Sequence, residues 1–187
     1  MQNWIRRAAS AIAWRIRCRL AALTAGRHSR AVLEAGRPHR LLVVCYGNIY
    51  RSPYAARLLG DRLGPVCQVR SRGFHRVADR PSPQAHVEMS LESGVDLRTH
   101  RSAILAAADL QWADAIMLMD RHNWQALRKL GADPEKLIWL GALDGGAEIA
   151  DPYGKPDEDA RRLMHRVHRC TEALAAAILA RRHSPPG

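Results

Sequence analysis

The apolar run Leu41-Leu42-Val43-Val44 leads directly into Cys45-Tyr46-Gly47-Asn48-Ile49-Tyr50-Arg51-Ser52-Pro53, and a helix-competent stretch, Pro53 to Leu63, follows at once. A buried strand, a tight loop and a helix in immediate succession leave few solutions. The chain must quit the sheet at the end of the strand and turn the first residues of a helix toward that end. Backbone N–H groups and the helix dipole then converge on one spot, and such a spot binds anions. Cys45 places a nucleophile there, and Arg51, six residues on, places a guanidinium clamp on the same loop. The helix N-terminus and the guanidinium both favour the thiolate form of such a cysteine. Ser52 can donate a hydrogen bond to the sulfur or to a departing group. Gly47-Asn48 supplies residues that tolerate left-handed backbone, and Pro53 suits a first helical turn. The loop is built to attack a group that carries a dianion, most simply a phosphate ester. A lone Cys-x5-Arg would be weak evidence, because a cysteine at a strand end is ordinarily inert packing.

Past Arg40 the pattern alternates. Strand-length apolar runs are predicted at 41–46, 66–69, 115–119 and 137–140, with helices over 53–63, 83–93, 122–130 and 157–181. Short buried strands separated by helices imply a parallel sheet covered on both faces. The Cys45 loop would then sit at the carboxyl end of the first strand, where open α/β sheets bind ligands. The four cysteines, Cys18, Cys45, Cys67 and Cys170, are scattered without any Cys-x-x-Cys pair. That argues against a zinc site or a disulfide framework and suits a reducing, cytoplasmic setting. Neither a metal nor a cofactor is expected.

A net charge of +11 suggests nucleic acid until it is partitioned. Residues 1–40 hold nine Arg and one acid, Glu34, so the arm carries +8 and the other 147 residues only +3. The basicity belongs to the start of the chain, and no specific nucleic-acid partner is expected. Trp4 to Leu23 reads as a helix with Ile5, Ile12, Ile16, Leu20 and Leu23 near one face, although Arg19 intrudes on it. A basic helix of this kind suits an anionic membrane surface, so residues 4–23 are a candidate membrane contact that would make the protein peripheral. The same composition resembles an organellar targeting segment, and a disordered tail or a mis-assigned start is an open alternative. Ala25 to Pro38 reads as a linker. The expected organisation is an arm and linker over 1–39, a catalytic domain over 40–183 and a tail over 184–187.

Several separated motifs share one order. They are the Cys45–Pro53 loop, Ser71-Arg72-Gly73, Gly94-Val95-Asp96-Leu97-Arg98-Thr99-His100, Met119-Asp120-Arg121-His122-Asn123 and Asp151-Pro152-Tyr153-Gly154. Together they resemble the low-molecular-weight protein tyrosine phosphatases over roughly residues 40–180. The resemblance implies a four-stranded parallel sheet between helices. It implies hydrolysis of phosphotyrosine through a cysteinyl-phosphate intermediate, with Cys45 attacking, Arg51 clamping and Asp151 protonating the leaving phenolate. Residues 46–52 (Tyr46, Gly47, Asn48, Ile49, Tyr50, Arg51 and Ser52) would bind the phosphate. Asn48, Ser52, Ser71 and His100 would form a supporting network. Asp120 would orient Arg51 or, equally, cap the helix that follows it. Tyr153 and Tyr46 would wall the substrate ring. The expected partner is a tyrosine-phosphorylated protein, such as a bacterial tyrosine kinase of exopolysaccharide export.

Departures from the family pattern raise further expectations. Tyr50 stands where a second, protective cysteine is common, which predicts irreversible oxidation of Cys45. Arg72 replaces a small residue and is expected to add positive charge near the pocket. Phe74 is the candidate for an otherwise missing aromatic wall. Three rival functions are a phosphate- or phosphopeptide-binding adaptor, a phosphoarginine phosphatase and a thioredoxin-coupled arsenate reductase. The second typically has Thr at the Ile49 position; the third needs two further cysteines, and residues 71–169 contain none.

Overall fold

A computed structural model describes residues 2–183, and the side chains of residues 13 and 16–182. Strands β1 (Arg40–Cys45), β2 (Gln68–Gly73), β3 (Ala115–Leu118) and β4 (Leu137–Trp139) form one parallel sheet in the order β2-β1-β3-β4. Around it run α1 (Gln2–Ala35), α2 (Arg51–Leu63), α3 (Gln84–Glu92), α4 (Ala107–Trp112), α5 (Arg121–Lys129) and α6 (Asp157–His183). β1 is central and buried on both faces, as its continuous apolar sequence requires. Leu41, Val43 and Cys45 enter one core with Tyr54, Leu58 and Leu59 of α2 and Val167 and Leu174 of α6. Leu42 and Val44 enter the opposite core with Ala25 of α1, Leu127 of α5 and Trp139. This is the three-layer α/β architecture expected. The strand order reverses between β1 and β3, and the Cys45 loop lies at that switch point.

Three elements differ from expectation: β2, α1 and the short helix α4, for which no helix was expected. Val66 lies in a 3-10 turn (Gly64–Val66), and the second strand runs later, over Gln-Val-Arg-Ser-Arg-Gly. Pairing with the full length of β1, from Arg40 opposite Gln68 to Cys45 opposite Gly73, fixes this polar segment as an edge strand. Its charges guard that edge.

The linker expected over Ala25–Pro38 is overturned, because α1 continues through Ala35. Cys18, Ala25, Ser29 and Leu33 recur at spacings of seven, four and four, and all are buried. They form one helical stripe, which packs on β4 and α5. Ile16, Leu20 and Leu23 lie on the exposed side (53%, 54% and 80%). The side chains of Ile5 and Ile12, and the expected tail at 184–187, lie outside the described residues.

Ser29 explains why the helix docks where it does. Its hydroxyl accepts from Trp139 N at 3.0 Å, satisfying a donor on the edge strand β4. Ser29→Ala should strand that buried N–H and cost about 1–3 kcal/mol, read as a lowered midpoint in urea unfolding. An unchanged midpoint would show that α1 only rests on the sheet.

Candidate active site

β1 ends at Cys45 and α2 begins at Arg51, so the intervening loop is held at both ends by buried elements. Cys45 Sγ is 3.0 Å from Ser52 Oγ and accepts from Asn48 N at 3.3 Å. Asn48 adopts a left-handed conformation (φ 52°) and is fully buried. Its amide donates to Ser52 Oγ at 2.9 Å, its side-chain oxygen accepts from Ala103 N at 2.8 Å, and its carbonyl accepts from His100 Nε2 at 2.7 Å. A ring nitrogen facing a carbonyl must carry the proton. Burial lowers the pKa of His100, in keeping with a neutral ring that donates once.

The structure brings Asn48, Ser52 and His100 of the expected network together by hydrogen bonds. Ser71 accepts from Arg72 Nη1 at its carbonyl, and among the described residues its hydroxyl makes no hydrogen bond to Asn48. The residue of that motif on which the loop depends is Gly73. A Cβ there would stand 2.8 Å from Asn48 Cβ and 2.9 Å from Tyr46 O. Arg72 is a second correction. Its guanidinium turns away to buried Asp109 at 3.1 Å, so its charge is spent outside the pocket.

Arg51 is 1% exposed and gathers the rest of the site. Nη1 donates to Asp120 Oδ2 at 2.7 Å and to Ile149 O at 2.8 Å, while Nη2 meets Asp151 Oδ2 at 2.8 Å. Nε is buried without a partner among the described residues. Burial alone would lower the Arg51 pKa, but Cys45, Asp151 and Asp120 offset that and hold it above the ordinary value. Asp120 takes both roles considered for it. Oδ2 orients Arg51, and Oδ1 caps α5 by accepting from Asn123 N at 2.9 Å. Asp151 is part exposed, on the loop before α6, and its Oδ1 accepts from Tyr153 N at 3.2 Å.

Cys45 sits in a cavity also lined by Tyr46, Ile49, Tyr50, Asp151 and Tyr153, together with His75 and Arg80. The last two were not anticipated. Phe74 packs, partly buried, against the core that Leu42 and Val44 enter, and His75 supplies the wall instead, edge-on to Tyr46 at 5.8 Å. Tyr50 stacks on His86 at 4.4 Å and meets Tyr153 edge-on at 6.2 Å. His86 Nε2 donates to Tyr50 O at 3.2 Å, and burial lowers its pKa to about 4, so the ring is neutral. No local sequence signal marks His75, Arg80 or His86, because each reaches the loop only through the fold.

Residues 40–184 match the family of low molecular weight phosphotyrosine protein phosphatases. The chain belongs to that family. The chain is 32% identical over 145 residues to a protein-arginine-phosphatase of Geobacillus stearothermophilus, covering 75% of this chain and 97% of the relative. It is 32% identical over 141 residues to the probable low molecular weight protein-tyrosine-phosphatase EpsP of Ralstonia nicotianae, covering 75% and 96%. Among solved structures, Vibrio vulnificus Wzb in complex with benzylphosphonate superposes with a TM-score of 0.69 at 29% identity, covering 74% of this chain and 97% of that one. As a low molecular weight phosphatase, the protein is a hydrolase. Its remaining thiols do not serve Cys45. Cys67 precedes β2 at the far end of β1, about 20 Å from Cys45 at 3.3 Å per residue. Cys18 and Cys170 are buried in α1 and α6.

Proposed function

We propose that this phosphatase acts on phosphotyrosine in proteins, with Cys45, Arg51 and Asp151 as its working residues. Cys45 Sγ attacks phosphorus in line with the aryl oxygen. The P–O bond to the ring breaks, and Asp151 delivers a proton to the departing oxygen. Arg51 and the backbone N–H groups of residues 46–51 hold the three equatorial oxygens as charge spreads over them. Water then attacks phosphorus, Asp151 takes its proton, the S–P bond breaks to return the Cys45 thiolate, and inorganic phosphate leaves. In this reading the Asp151 carboxylate occupies the Arg51 edge that a phosphate oxygen takes on binding. Exchange of one for the other frees the Asp151 carboxylate from the guanidinium, so that it takes up a proton from solvent and carries it to the departing oxygen.

The observation that carries the choice of substrate is the lining of the cavity. Tyr46, Tyr50, Tyr153 and His75 offer ring faces and edges, Ile49 is apolar, and Arg80 places a cation beside them. An aryl phosphate gains from such walls, whereas the guanidinium of phosphoarginine meets a like charge. An adaptor that has lost turnover is not favoured, since nucleophile, clamp and acid are assembled together. Cys67, Cys18 and Cys170 offer no thiol relay for arsenate reduction. The partner is a tyrosine-phosphorylated protein met in the cytoplasm. Exposed Ile16, Leu20 and Leu23 beside Arg17 and Arg19 suit contact with an anionic membrane surface. Among the described residues no helix is long and apolar enough to cross a membrane.

The test compares phosphotyrosine and phosphoarginine peptides with EDTA present, on wild type and Asp151→Asn. Wild type should prefer phosphotyrosine. Asp151→Asn should lower kcat about 10²- to 10⁴-fold, more for phenyl phosphate than for para-nitrophenyl phosphate, whose leaving group needs no proton. A preference for phosphoarginine would overturn the substrate. An equal loss on both aryl esters would remove Asp151 from proton transfer.

A further inference from the structure

The carbonyls of the Cys45 loop are tied outward in turn. In a trans peptide the C=O and N–H of one unit point in opposite directions. Tyr46 O accepts from Phe74 N (2.9 Å) and His75 N (3.0 Å), which turns Gly47 N–H toward the interior of the loop. Gly47 O accepts from Arg80 Nη2 at 2.5 Å, which turns Asn48 N–H inward, and that N–H is the donor on Cys45 Sγ. Asn48 O is held by His100 and Tyr50 O by His86, so Ile49 N–H and Arg51 N–H face inward as well. The left-handed Asn48 is thus gripped on both flanking peptides, by Arg80 before it and His100 after it. A non-glycine residue in that conformation persists only where its surroundings over-determine it.

Arg80 is delivered from a rigid stub. Its N donates to Ser102 Oγ (3.0 Å), its O accepts from Ser102 N (2.9 Å), and Asp79 N donates to Ser102 O (2.8 Å). Ser102 is buried, and Asp79 holds a left-handed conformation (φ 59°). Arg80 Nε is bonded to Val77 O at 3.2 Å, which fixes the guanidinium while it lines the cavity.

We propose that Arg80 is a positioning residue for the nucleophile: by pinning Gly47 C=O it aims Asn48 N–H at Cys45 Sγ, and it adds a fixed cation at the mouth of the site. This rests on Cys45 as the attacking group. The chain of contacts is short, and it differs from the direct phosphate grip of Arg51. Arg80 touches the nucleophile only through one peptide unit.

The experiment uses Arg80→Met and Arg80→Lys in the full chain, with two readouts. The first is kcat and KM on a phosphotyrosine peptide; the second is the pH profile of Cys45 alkylation by iodoacetamide, with Cys45→Ser as the blank. Arg80→Met should lower kcat on the order of 10- to 100-fold and move the alkylation profile to higher pH at an unchanged melting temperature. Arg80→Lys should recover part of both, since an ammonium can still donate once to Gly47 O. A wild-type kcat and profile in Arg80→Met would overturn the proposal. Should Arg80→Met not fold, Arg80→Lys decides: a reduced kcat in the folded protein supports the role, and wild-type kinetics overturn it. A wild type inert toward phosphotyrosine, with the profile still displaced in Arg80→Met, would sink the substrate reading and leave Arg80 standing.

Discussion

Replacing Cys45 by Ser should abolish turnover, by on the order of 10⁴-fold or more, and leave the fold and phosphate binding intact. The sulfur is buried at the end of β1, with Asn48 N at 3.3 Å and Ser52 Oγ at 3.0 Å directed at it. Those donors suit an anionic sulfur. A serine oxygen is smaller and holds its proton, and among the described residues no imidazole is hydrogen-bonded at the Cys45 position to take that proton away; Asp151 faces Arg51 instead. The cradle of N–H groups depends on carbonyl anchors that do not involve Sγ, so inorganic phosphate should bind Cys45→Ser about as well as wild type. The measurement pairs phosphotyrosine-peptide hydrolysis with phosphate titration by calorimetry. Retained turnover would show that another group attacks phosphorus. Lost phosphate binding with a native melting temperature would show that the sulfur, rather than the backbone, shapes the anion site.

The features legible in the sequence are those whose partners lie close along the chain. Leu41–Val44 reads as a buried strand because both faces are covered. Cys45, Arg51 and Ser52 read as a site because one turn of backbone brings them together. Asp120 and Asp151 were legible by order and by their places at the ends of elements, though not in their joint grip on one guanidinium. What escaped was set by tertiary contact. β2 is polar and pairs through register rather than hydrophobicity, so its start was misplaced. Apart from Leu33, the buried stripe of α1 uses Cys18, Ala25 and Ser29, small residues that let a helix approach the sheet closely but give little hydrophobic signal, while Ile16, Leu20 and Leu23 face outward. Arg72 looked like a pocket cation because Asp109, its partner, lies 37 residues away in a helix that was not expected. Arg80 lay in a loop with nothing local to mark it.

Arg51→Met should separate catalysis from stability in a way that Cys45→Ser cannot. Loss of the guanidinium removes the charged clamp on the transferring phosphoryl group, which should lower kcat/KM about 10³- to 10⁵-fold. It also leaves the Asp120 carboxylate, 12% exposed on its side chain, facing a methionine. A buried charge stripped of its partner costs about 3–5 kcal/mol, so Arg51→Met should unfold at clearly lower urea. Asp151, 40% exposed, loses the same partner at little cost because water replaces it. The compensating change is Asp120→Asn. An asparagine removes the orphaned charge and keeps a side-chain oxygen in the place of Oδ1, which accepts from Asn123 N and caps α5. The double variant Arg51→Met/Asp120→Asn should therefore regain most of the lost stability and none of the activity. Urea unfolding of the three variants with phosphotyrosine-peptide hydrolysis checks both halves. Full stability in Arg51→Met alone would mean that the Asp120 pair is solvated rather than buried. Activity recovered in the double variant would mean that the backbone cradle, without Arg51, suffices to hold the transition state.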